Sequence, residues 1–110
     1  MKPIVWLGDS IDRLRNSPVD VRSEAGHQLL SVQNGDLPED FRPMPDVGPG
    51  VVELRLHYRN EYRIFCVARF AEAIYVLHCF IKKGRTTQKG DLDLGRKRYA
   101  AMLETRKGRI

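Results

Sequence analysis

At 110 residues the chain has room for one domain with one modest hydrophobic core and not for two, so residues 1–110 are expected to form a single unit with any site on its surface or edge. Its 19 Lys/Arg against 14 Asp/Glu give a net charge of +5, unevenly spread: residues 1–50 carry five basic and eight acidic side chains, residues 51–110 fourteen and six. That asymmetry directs a polyanion to the second half, nucleic acid ahead of an anionic membrane, with a merely solvated basic surface as the plain alternative.

Residues 3–7 (Pro-Ile-Val-Trp-Leu) read as a short strand, with Pro3 suited to an edge or a strand start. Asp9 or Ser10 is placed to cap a brief helix ending at Arg15, and Ser17 to cap a second one with Pro18 in its first position. Val21, Ala25, Leu29 and Val32, with Leu30 beside them, recur at helical spacing up to Asn34-Gly35, where a glycine can close the helix. The two make an amphipathic helical hairpin. His27 within it is expected on the helix surface, because no Cys or second His sits at metal-ligand spacing. Residues 35–50 hold four prolines and three glycines and are expected to form a loop without regular structure. This loop either only spans from helix to sheet or brings Phe41 and Arg42 to a ligand.

Residues 51–83 read as three consecutive strands. Val52, Leu54, Leu56 and Tyr58 alternate with Glu53, Arg55 and His57, the period of a half-buried strand. Arg59-Asn60-Glu61 is short and polar enough for a hairpin, after which residues 62–70 resume an apolar run carrying Arg63 and Arg69. A second reversal falls near Ala71-Glu72, and residues 73–81 are apolar enough for a strand covered on both faces. Lys82-Lys83-Gly84-Arg85 ends that strand in cationic charge. Residues 84–90 form a basic loop, and residues 91–107 read as a terminal helix with acids early, bases late and Leu92, Tyr99, Met102 and Leu103 on its apolar side. Cys66 and Cys79 fall at offset positions along their hairpin, so both are expected as reduced, buried thiols.

The apolar region 64–81 is interrupted by Arg69 and Glu72, which favours paired strands over a membrane span, and no apolar stretch near the N-terminus resembles a signal peptide. A soluble, cytoplasmic protein is expected. Neither a Cys/His metal cluster nor a glycine-rich phosphate loop is present, and no metal or cofactor is expected. The fold class that follows is α+β: a small, antiparallel-rich sheet of about four strands with an N-terminal helical hairpin and a C-terminal helix, in the order β-α-α-β-β-β-α.

That order, with Glu53-Leu54-Arg55 on the second strand, Tyr62-Arg63-Ile64 on the third, an apolar strand reading IYVLHCF and a Lys-Lys exit, resembles the RelE/ParE toxin superfamily, most of all its HigB-like, phage-associated branch. The resemblance runs from about residue 3 to residue 104 and implies a RelE-like fold. It also implies the toxin of a type II toxin–antitoxin pair: a ribosome-dependent messenger RNA endonuclease, or mRNA interferase, silenced by a small cognate antitoxin that is often a helix-turn-helix protein.

The residues themselves allow a check on that chemistry. Metal-free RNA cleavage needs an aligned 2′-hydroxyl, a proton acceptor for it, positive charge on the pentacoordinate phosphate and a proton donor for the leaving oxygen. Arg55 and Arg63, on neighbouring strands, can grip phosphate if the register puts both on the wet side. Arginine is too basic to accept the proton. A lysine crowded by arginines, Lys82 or Lys83, can do so, and His57, on the same strand face as Arg55, is the rival. Arg85, Lys89 and Arg59 extend the basic patch for RNA binding. Arg63→Ala is expected to abolish cleavage while leaving the fold intact.

Each residue has a plainer reading. Arg55 can pair with Glu53 or Glu61 as a surface ion pair, the lysines can be a solvated strand end, and His78 reads as a hydrogen-bonded core histidine. The chain also departs from the family pattern. A catalytic or base-stacking tyrosine, or a short acidic-aromatic-histidine group, is common in the family shortly after the basic exit, where this chain has Thr86-Thr87-Gln88-Lys89, and Tyr99 can substitute only if the last helix folds back over the site. A non-enzymatic protein, either a ParE-like inhibitor of DNA gyrase or an inactive toxin homologue, therefore stands as the alternative.

Overall fold

In the computed structural model, which describes residues 1–108, eight elements follow one another: β1 (Ile4–Trp6), α1 (Ser10–Arg15), α2 (Val19–Gln33), β2 (Phe41–Pro43), β3 (Val51–Tyr58), β4 (Asn60–Val67), β5 (Ile74–Lys82) and α3 (Lys89–Lys107). Residues 109 and 110, the last two of the expected domain, lie outside the described residues. The strands form one sheet in the order β1-β5-β4-β3-β2, with β1 parallel to β5 and every other pair antiparallel. The fold is α+β, with five strands where about four were expected.

The period-two pattern of β3 explains the layering. Leu54 and Leu56 point to one face, where Ile64, Cys66, Ile74, Val76 and Cys79 join them against Val21, Ala25, Leu29 and Val32 of α2. On the other face Val51, Phe65, Val67, Tyr75, Leu77 and Phe80 pack against Tyr99 and Met102 of α3 and Val47 of the loop before β3. The sheet is thus sandwiched, and β5 is buried on both sides, as its composition requires. Each fully buried Leu, Ile or Phe here contributes about 1.5–3 kcal/mol. Gly95 lets α3 approach closely, since a Cβ there would stand 3.0 Å from both Phe65 and Val47.

The extra strand lies in the segment expected to be irregular. Phe41, Arg42 and Pro43 pair with Leu54, Glu53 and Val52, so the prolines shape the ends of a three-residue edge strand instead of excluding one. The β3–β4 turn is tighter than expected: Tyr58 pairs with Asn60, and Arg59 alone turns the chain at φ +58°. Pro18, not Ser17, occupies the cap position of α2, and the Ser17 hydroxyl donates instead to the Arg13 carbonyl at 3.0 Å. Asp9 likewise makes no side-chain cap to α1 and bonds Arg13 and Arg98. Leu30, grouped with the apolar stripe in the sequence, is 45% exposed on the outer side of α2. α3 begins at Lys89, two residues early, and its C-terminal turn is fastened by Arg106, which bonds Glu72 and lies 3.6 Å from the Phe70 ring centroid. Among the described residues no helix is long and apolar enough to cross a membrane.

Candidate nucleic-acid interface

The register of β3, β4 and β5 decides which polar side chains meet. Arg55 lies directly opposite Arg63 and His57 opposite Glu61, while across the next seam Arg63 faces Phe80 and Glu61 faces Lys82. By the alternation of the strands all of these share the face on which α3 packs. Tyr99 and Met102 of α3 cover its lower half, around Phe65, Val67, Tyr75 and Leu77; at the other end Arg55, His57 and Lys82 keep access to solvent.

Like charges directly opposite one another on adjacent strands repel, and here three carboxylates offset them. Glu53, 1% exposed, places Oε1 3.3 Å from Nε of Arg55 and 3.5 Å from Nε of Arg63. Asp40, just ahead of β2, lies 3.6 Å from Nη1 of Arg55 and accepts a hydrogen bond from Nε2 of His57. Glu61 accepts from Nδ1 of His57 and lies 3.8 Å from Nη2 of Arg63. Asp40 first and Glu61 second raise the pKa of His57, and His57 in turn lowers both of theirs. With both ring nitrogens donating, the imidazolium is the favoured form. In that form the ring can give a proton but has no free lone pair to take one, which narrows the two roles open to it in the sequence.

The arginines differ in access. The Arg55 side chain is 27% exposed and that of Arg63 only 5%. Nη1 of Arg63 donates to the Tyr62 carbonyl at 3.0 Å, and its Nε has no hydrogen-bond partner. Deleting Arg63 takes away one of the two arginine partners of the buried Glu53, so Arg63→Ala is expected to destabilise, where the sequence alone led to the expectation of an intact fold.

The two lysines part company. Lys82 shares the face of Phe80 and Arg63, whereas Lys83, just past the end of β5, is exposed and lines a cleft of about 460 Å³ with Arg13, Leu14, Ile81 and Arg63. Arg85 is exposed in the turn after β5, and Arg59 sits at the hairpin tip 5.5 Å from the Tyr58 ring centroid. Lys89, at the start of α3, bonds Asp93 at 2.6 Å. The structure therefore gathers Arg55, Arg63, His57 and Lys82 and leaves Lys83, Arg85, Lys89 and Arg59 around the rim.

The remaining chemistry-bearing residues are occupied elsewhere. His78 is fully buried, bonds Asp91 at 2.8 Å and stacks on Phe80; burial lowers its pKa, with Asp91 opposing. Tyr99 donates to the Pro49 carbonyl at 2.8 Å and packs over Gly48, beside Arg69 and on the lower half of the face, so α3 does not bring its hydroxyl to Arg55. His27 is exposed on α2. Cys66 and Cys79 are free and buried, with both thiols pushed up to about 12 by burial. Among the described residues no group of three or more His, Cys, Asp or Glu is arranged to hold a metal ion.

Asp40 escaped the sequence reading, because nothing in a proline-rich segment signals that one of its acids reaches side chains of the neighbouring strand β3. Glu53 was visible as a partner for Arg55, but its burial was not. The model of the family described as Phage derived protein Gp49-like (DUF891) matches residues 12–100 of the chain. No curated protein matches it.

Proposed function

The chain belongs to the Gp49-like family of phage-derived proteins, a family of RelE-like toxins of toxin–antitoxin systems, and from that premise we propose that it is an mRNA interferase, cutting messenger RNA on the ribosome by metal-free chemistry. The observation that carries the reading is the cross-strand Arg55–Arg63 pair at the open end of the sheet face, with His57 and Lys82 in the neighbouring row.

In this mechanism a phosphodiester displaces the exposed carboxylates of Asp40 and Glu61 from Arg55 and His57. These are solvent-exposed ion pairs, each worth only about 0–1 kcal/mol, so a phosphate can compete for their partners. The guanidinium of Arg55, backed by Arg63, stabilises the charge that builds on the pentacoordinate phosphorus. Lys82 takes the proton of the attacking 2′-hydroxyl, and His57 gives one to the departing 5′-oxygen. Lys83, Arg85, Lys89 and Arg59 hold the flanking backbone. We read the arrangement as that of the HigB-like branch, and the partner that silences it as a cognate antitoxin, of helix-turn-helix type, covering the cationic face with an acidic or amphipathic segment. The working compartment is the cytoplasm, where ribosomes are.

A second reading, a gyrase inhibitor of ParE type or an inactive toxin homologue, is favoured by one specific observation: the residues after the basic exit supply no tyrosine, and the hydroxyl of Tyr99 is held by Pro49. Primer extension on a message in a purified translation system, with and without ribosomes, separates the two. The nuclease reading expects cuts that require the ribosome and are lost in Arg55→Ala. An intact message with stalled supercoiling would establish the second reading.

A further inference from the structure

We infer that Glu53 is a positioning residue: a buried carboxylate that fixes the orientation of the two arginines toward the scissile phosphate, an inference that rests on the nuclease reading above. The geometry is unusual for a stabilising ion pair. One oxygen, Oε1, is shared between Nε of Arg55 at 3.3 Å and Nε of Arg63 at 3.5 Å, and the carboxylate is 1% exposed. The other oxygen, Oε2, is buried without a hydrogen-bond partner, as is Nε of Arg63. A half-satisfied buried ion pair weakens a fold more than an apolar pair of the same shape, so stability alone does not account for it.

What the arrangement does achieve is directional. Glu53 accepts a hydrogen bond from Nε of Arg55 and faces Nε of Arg63 as an ion pair alone, so in both arginines the side nearest the carboxylate is Nε, and the forked Nη side that matches phosphate is turned away from it. The Nη groups make other contacts: Asp40 at 3.6 Å for Arg55, and Glu61 at 3.8 Å with a hydrogen bond to the Tyr62 carbonyl at 3.0 Å for Arg63. The strand fixes this relation, since Glu53 and Arg55 are two residues apart on one face of β3 and Arg63 is the cross-strand neighbour of Arg55. Asp40 and Glu61 can yield to a phosphate because they are exposed; Glu53 stays in place beneath it.

Orientation and charge make opposite demands on Glu53, which gives the test its discrimination. Glu53→Gln removes a negative charge beside the binding arginines and leaves only a neutral amide oxygen, a weaker acceptor, to aim them. RNA binding should therefore be unchanged or tighter by about two- to fivefold, while single-turnover cleavage on the ribosome falls about 10- to 100-fold. The full chain is used, with thermal melting to compare folded fractions and nitrogen NMR of the arginine Nε–H groups as a readout independent of activity. Separate, sharp Nε–H signals for Arg55 and Arg63 in the wild type are expected to broaden or merge in Glu53→Gln. Glu53→Asp, which keeps the charge and withdraws it by one methylene, should keep RNA affinity and still slow cleavage. If affinity and rate fall together in proportion to the folded fraction, Glu53 is merely structural and the inference is overturned; unchanged rate with unchanged Nε–H signals overturns it as well. Should the wild type itself make no cuts, the nuclease reading fails separately, and the NMR comparison still decides whether Glu53 orients the arginines.

Discussion

Asp40→Asn should strengthen RNA binding, the opposite of what loss of a salt bridge usually does. In the free protein the Asp40 carboxylate bridges Arg55, at 3.6 Å, and His57, so it holds the place that a phosphate takes in the proposed complex. Its side chain is 46% exposed, which puts the interaction in a water-like dielectric. A unit charge about 5 Å from an incoming phosphate then costs about 0.8 kcal/mol, and the exposed pair it must abandon is worth about 0–1 kcal/mol. Removing that charge should tighten binding about two- to fivefold at low salt, a tenfold change being about 1.4 kcal/mol. His57 loses its first carboxylate in the same variant, so binding is best compared at about pH 6, where an unperturbed imidazole is still largely protonated. Fluorescence anisotropy of a short labelled RNA, with Glu39→Gln as a charge-matched change in the same loop, measures the effect. The gain should shrink as salt is raised. An affinity for Asp40→Asn equal to or below that of Glu39→Gln would refute the idea that this carboxylate competes with phosphate.

Three further outcomes follow from the same geometry. The His57 pKa is raised, so its contribution to stability is complete below its unfolded value of about 6.5 and is lost as pH rises through the folded value; the lowered pKa values of Asp40 and Glu61 act in the opposite sense, their contribution being lost as pH falls. The stability difference between wild type and His57→Gln in urea melts should therefore be largest in mildly acidic solution and shrink on both sides. Tyr99→Phe should lower stability by about 1 kcal/mol through the lost bond to Pro49, with RNA cleavage unchanged; a loss of cleavage without a loss of stability would bring Tyr99 into the site after all. Gly48→Ala sets a Cβ 2.6 Å from the Tyr99 ring and should destabilise by about 1–3 kcal/mol in urea melts, and no effect would mean that the loop before β3 is not held against α3.

Much of the fold was legible because it rests on periodicity. The alternation of Val52, Leu54 and Leu56 against Glu53, Arg55 and His57 and the helical spacing of Val21, Ala25, Leu29 and Val32 all report one buried face, and each of these apolar side chains lies in the core or against it. β2 was not legible, because three residues are too few to show a period and their pairing is imposed by β3. The same limit applies to the site. Strand alternation put Arg55 and His57 on one face, and cross-strand register brought Arg63 to them. Whether an arginine is open like Arg55 or enclosed like Arg63 depends on what lies over it, and the carboxylates that decide this come from β3, β4 and the loop before β2. Long-range electrostatic partners of that kind leave no local pattern in a chain. The Lys82–Lys83 pair makes the point in reverse: adjacent in sequence, Lys82 still belongs to β5 opposite Glu61, while Lys83 lies past the end of the strand and is exposed.

The central claim is that Arg55, held opposite Arg63 at the open end of the sheet, serves RNA cleavage on the ribosome. Primer extension on one message, in a purified translation system with and without ribosomes, comparing wild type with Arg55→Ala, tests it most directly; Arg55 is the more exposed member of the pair. The account predicts discrete cuts that need the ribosome and vanish in a folded Arg55→Ala protein. Cuts that persist in that variant, or an intact message with the wild type, would contradict it.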